Sequence, residues 1–137
     1  MIRALLLFSL LLCRTGSADE WTPVKSVSLA KDQLERIVVK NAALKRMFEF
    51  RWTLYANDTL VVLRSYDDVV AQHVLRKEHK NKSFRVILFS EGGRHRMPPY
   101  LIVTFRYFDF KTKQALFDIY LSDDDERVAL KFLQETI

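Results

Sequence analysis

The sequence predicts an α+β domain: an antiparallel β-meander of about six strands, with an N-terminal and a C-terminal helix packed on one face. Three observations predict it. Apolar and polar residues alternate from Phe48 to Leu54, as in a half-buried strand. Further runs of β-forming residues follow, separated by turn residues. A stretch near each end carries apolar residues at three-to-four spacing, the pattern of one helix face.

In chain order, the first element is a leader. Arg3 is followed by the apolar run 4–13, then Arg14-Thr15, then the small residues Gly16-Ser17-Ala18 before acidic Asp19-Glu20. This is the order of a secretory signal, with cleavage expected after Ala18. The run is too short for a permanent membrane span, which needs about 20 apolar residues. Lipidation at Cys13 is the alternative, opposed by bulky Leu12 where a small residue is usual. Removing residues 1–18 from 137 leaves 119, enough for one domain over 19–137 and too few for two.

Residues 19–27 read as an extended lead-in around Pro23. Ser28 can cap a helix in which Leu34, Ile37, Val38 and Ala42 share a face, although the β-branched run Ile37-Val38-Val39 weakens it. From Arg46 the period changes to two. Phe48, Phe50, Trp52 and Leu54 alternate with Glu49, Arg51, Thr53 and Tyr55, Asn57-Asp58 supplies a turn, and 59–66 returns as the second strand of a hairpin. The stretch 67–82 fits either a helix face or a strand; a strand near 72–76 is the reading adopted. Strands follow at 84–90, at 100–110, which is apolar on both alternations and so central with both faces covered, and at 115–121. Ser122 then reads as an N-cap with Asp123, Asp124, Asp125 and Glu126 in the first turn of a helix whose apolar stripe is Val128, Ala129, Phe132 and Leu133.

Composition narrows the function classes. Cys13 is the chain's one cysteine, so the mature chain would form no disulfide, offer no thiol nucleophile and build no cysteine zinc site. A secreted chain without disulfides fits a bacterial periplasm. Two of the three asparagines, Asn57 and Asn81, stand in glycosylation sequons, which keeps a secreted eukaryotic protein as a second reading. The net charge falls from +5 to +3 when Arg3 and Arg14 leave, too mild and too interleaved with acids to predict nucleic-acid binding.

Two places attract a binding role. Residues 90–99 hold both glycines of the mature chain, Pro98-Pro99 and the triplet Arg94-His95-Arg96, where two guanidinium groups could receive a carboxylate or phosphate. A solvated hairpin loop is the plainer account. The second place depends on register. If Asn57-Asp58 is a two-residue loop, counting back sets Arg51 opposite Arg64 on the non-core face, with Glu49, Tyr55 and Tyr66 beside them. Tyrosine and arginine are residues that interfaces favour. A register shifted by one residue would remove that face.

For chemistry the sequence is sparse. His73, His79 and His95 match no metal-ligand spacing, and the Asp123 to Asp125 run lacks the spacing of a calcium loop, so neither a metal nor a cofactor is expected. No nucleophile motif or phosphate loop is present. Glu49, Asp109 and Asp118 lie in expected strands and could form a carboxylate pair. The reading is an exported, non-enzymatic binding or structural module of the bacterial cell envelope, acting through a protein partner. The alternatives are a small envelope enzyme using His95 with Glu91 or Asp118, and a small-ligand carrier with an apolar cavity between sheet and helices.

Overall fold

The computed structural model describes residues 22–78, 80–89, 97–124 and 126–133, and these form two antiparallel sheets facing each other. The strands are β1 (Lys25–Ala30), β2 (Glu35–Lys40), β3 (Lys45–Ala56), β4 (Thr59–Tyr66), β5 (Val69–Arg76), β6 (Ser83–Ile87), β7 (Tyr100–Asp109), β8 (Gln114–Ser122) and β9 (Ala129–Leu133). One sheet has the order β1-β8-β7-β6 and the other β5-β4-β3-β2-β9. The expected signal segment, the Arg94-His95-Arg96 triplet, Glu91 and His79 lie outside the described residues.

The six expected strands are present, and the hairpin turn at Asn57-Asp58 is where the sequence places it. Both turn residues have positive φ, 51° and 59°, and so do Asp67 and Asp68 in the next hairpin, 50° and 65°. Two-residue hairpins demand this conformation at both positions, and Asn and Asp accept it at low cost.

The expected helices are absent: among the described residues there is no helix, and the α+β class is replaced by an all-β sandwich. At the N-terminal side, Lys31-Asp32 turns the chain between β1 and β2, with Asp32 at φ 63°. Ile37 and Val39 face the core while Arg36 and Lys40 face solvent, a period of two that the 34, 37, 38 spacing hid. Val38 is buried although it points outward, because it lies between Met47 and Lys131 of the flanking strands.

At the C-terminal side, Asp123 and Asp124 enter a turn and not a helix. Asp123 accepts the Val128 N–H through Oδ2 at 2.7 Å, its carbonyl accepts the Glu126 N–H at 3.2 Å, and Arg127 Nε stands 3.7 Å from Oδ1. The Ser or Asp signature of a helix cap serves a tight turn equally well, because the side chain satisfies backbone amides in both. Residues 129–133 then pair with β2, setting Leu130 beside Val39 and Phe132 beside Ile37. β7 is internal in its sheet as expected, but only one of its faces meets the other sheet.

The core is aromatic. Phe48, Phe50, Phe105 and Phe117 are almost entirely buried, and Phe50 packs edge-on against Phe84 and Phe117 of the opposite sheet, with ring centroids 6.2 and 5.2 Å apart. Trp52 Nε1 donates to the Leu29 carbonyl at 2.7 Å and so ties the two sheets together inside the core. The space between the sheets, where a carrier cavity would lie, holds these side chains.

Candidate functional site

Two β-bulges create the most distinctive surface. In β3 the register with β4 shifts between Trp52 and Leu54, leaving Thr53 as the extra residue. Before it the even residues Phe48, Phe50 and Trp52 point inward; after it Leu54 turns out to solvent and Tyr55 packs against the core. β7 repeats the device. Its register with β8 shifts between Phe105 and Tyr107, so Tyr107 points outward and Phe108 inward. Both bulges lie at the same end of the sandwich, on opposite sheets.

Their joint effect is an aromatic cleft of about 300 Å³. Tyr55 and Phe108 stack face to face at 4.2 Å, and Trp52 meets Phe108 edge-on at 5.6 Å. Phe110, on the β7–β8 turn, stands 5.2 Å from Phe108 and 6.0 Å from Tyr55 at steep angles. It is 72 % exposed. That exposure is held in place, since Asp109 Oδ1 accepts the Lys111 N–H at 2.9 Å and Lys113 takes a positive φ of 56° to close the turn. The opposite rim carries Asn57 and Asp58 from the β3–β4 turn and Arg76, Lys77 and Glu78 from the end of β5. The Tyr55 hydroxyl donates to Asp58 Oδ1 at 3.2 Å, and burial followed by Asp58 raises its pKa, so it remains a proton donor at neutral pH.

The chain matches no protein-family model, no curated protein and no solved structure. The cleft's role therefore rests on its own chemistry. Rigid aromatic faces bind with little loss of side-chain entropy, and mixed charges at a rim orient what enters.

The bulge at Thr53 also decides the fate of the expected Arg51 and Arg64 face. Arg51 pairs with Leu63 and points outward, whereas Arg64 pairs with Phe50 on the inner side. Glu49 is outward, 3.5 Å from Arg36 Nε. Tyr55 and Tyr66 are both inward, so the five residues are divided between two faces. Burial raises the Tyr66 pKa against the lowering influence of Arg46 and the Phe89 backbone.

Arg64 has a different neighbour. Its Nε–H donates to His73 Nε2 at 3.1 Å, and the His73 ring stacks on Phe84 at 4.5 Å and 5°. An imidazole that accepts at Nε2 is neutral and carries its proton on Nδ1. Burial lowers the pKa of both groups, and the Arg64 charge lowers that of His73 further.

Asp118 lies on the outer face of the four-stranded sheet, accepting from the Ser26 hydroxyl and standing 3.4 Å from Arg106 Nε. Glu49, Asp109 and Asp118 are spread over separate strands, and among the described residues no three His, Cys, Asp or Glu side chains converge. No helix there is long and apolar enough to cross a membrane.

Of the cleft residues, sequence reasoning had singled out Tyr55 alone for binding. A signal for the others was present in Phe105, Tyr107, Phe108 and Phe110: aromatics on both parities of one strand cannot all face one core.

Proposed function

We propose that this chain is an exported, non-enzymatic binding module of the bacterial cell envelope, working in the periplasm, and that it holds a protein partner at the aromatic cleft. The observation that carries the reading is the pair of bulges that turns Tyr55 and Phe108 into the same end of the sandwich and leaves Phe110 exposed beside them. Bulges are placed where a side chain must be re-aimed, and buried aromatic anchors dominate protein interfaces. The cysteine-free mature chain and the leader-like segment 1–18 support export.

The test is capture of partners from native envelope extract by three forms of the protein. These are the unaltered chain, a Phe110→Ser, Tyr107→Ser variant, and a variant with Arg94→Ala, His95→Ala and Arg96→Ala. A partner retained by the unaltered and loop forms and lost by the cleft variant supports the cleft. A partner lost with the loop variant alone moves the site to residues 94–96. Recovery of nothing by the unaltered chain refutes the protein-binding reading.

A further inference from the structure

We infer that β5 is a self-complementary edge through which two copies of this chain pair, strand to strand about a two-fold axis, to join their five-stranded sheets into one. The four sheet edges differ in how they are protected. β1 carries inward-pointing Lys25, bound to Glu35 at 3.0 Å; among the described residues β6 and β9 have five residues each and carry Arg85 and Lys131. β5 has eight residues, contains no lysine, proline or bulge, and pairs without interruption along β4 from Val69 to Arg76. Long, regular, unguarded edges invite another strand.

The direction of the backbone groups follows from the hairpin. The Val69 N–H closes the Asp67-Asp68 turn onto Tyr66, so Val69, Ala71, His73 and Leu75 direct their N–H and C=O groups to β4. Val70, Gln72, Val74 and Arg76 direct theirs away from it. The Arg76 N–H agrees with this parity, since it donates outward to the Asn81 carbonyl at 3.1 Å. Among the described residues Val70, Gln72 and Val74 have no backbone partner on that side.

Facing groups restrict an antiparallel self-pairing to registers that set even residues opposite even residues. With Gln72 on the two-fold axis, Val70 meets the partner's Val74 and Val74 meets the partner's Val70. These valines are 68 % and 48 % exposed on the outer face, and the pairing covers them. The same register brings Asp68, in the turn before β5, towards the partner's Arg76, twice by symmetry, while backbone pairing ends at Val74 because Asn81 already holds the Arg76 N–H. Shifting the register by two residues one way opposes Asp68 to the partner's Glu78; shifting it the other way leaves Asp68 against Val74. The complementary register is thus selected by charge as well as by apolar contact, and a closed two-fold dimer uses up both edges.

The experiment is sedimentation of the purified chain over a wide concentration range, together with two variants and their mixture. The unaltered chain is expected to dimerise. Val70→Lys, Val74→Lys sets like charges against each other across the axis, and so does Val70→Glu, Val74→Glu. Each alone should weaken the dimer at least about tenfold, while an equal mixture of the two should restore it as a heterodimer. Hydrogen exchange of the unaltered chain provides a reading free of variants: the Val70, Gln72 and Val74 amides should slow as concentration rises. A monomer at all concentrations, a dimer indifferent to both substitutions, a mixture that stays monomeric, or edge amides insensitive to concentration would each overturn the inference.

Discussion

Tyr55 and Phe108 lie face to face, with ring centroids 4.2 Å apart and planes 9° from parallel, although they come from opposite sheets and each follows a β-bulge in its own strand. Neither ring would face the interior if its strand alternated without interruption. Leu54 and Tyr107 would stand there instead.

Removing one ring of the stack should therefore cost stability as well as shape. Phe108→Ala takes away a half-buried aromatic that also meets Trp52 and is expected to lower unfolding stability by about 2 kcal/mol, below the cost of emptying a fully buried site. Urea denaturation followed by tryptophan fluorescence in a Trp21→Phe background measures it, and the folded-state emission should shift because Phe108 packs against the Trp52 indole.

Phe110→Ser separates binding from folding. The side chain projects from a turn braced by Asp109, so the midpoint of thermal unfolding should hold and stability change by no more than about 0.5 kcal/mol. Binding at the cleft should fall, which calorimetry with a captured partner reads directly.

Trp52→Phe tests the link between the sheets. It deletes the indole N–H that donates to the Leu29 carbonyl and removes buried volume, with an expected loss of about 2 kcal/mol or more in denaturant titration. A loss confined to a few tenths of a kcal/mol would mean that water satisfies the carbonyl.

Acidification should weaken the fold through His73. Burial first, and the Arg64 charge second, hold its pKa below the ordinary 6.5. Below about pH 6.5 the unfolded chain binds this proton and the folded chain does not, so stability falls as pH drops towards the lowered folded value and is fully present above 6.5. Protonation would also place an Nε2–H against the Arg64 Nε–H that now donates to it. His73→Gln should show a smaller drop in melting temperature between about pH 7.5 and about pH 5 than the unaltered chain.

Much of the sandwich was legible. The strands from Phe48 to Leu121 announced themselves by β-formers and turn residues, except β5, whose valines fitted a helix face equally well, and Asn57-Asp58 named its own turn. The ends were not legible, because a short apolar run at positions 128, 129, 132 and 133 satisfies a helix face and a strand about equally. The bulges were hidden for a related reason. A single inserted residue leaves composition untouched, yet it moved Arg64 inward, parted it from Arg51 and delivered Tyr55 to the cleft.

What the sequence determined by itself is therefore local: where the chain turns, which runs favour extended backbone, and which side chains must leave water. The tertiary structure decided the rest. Residues 129–133 became a strand because β2 offers them a row of backbone partners and a place for Leu130 and Phe132 against Val39 and Ile37. The faces beyond Thr53 and Arg106 were set by pairing with β4 and β8, since register is a relation between two strands and neither strand specifies it alone.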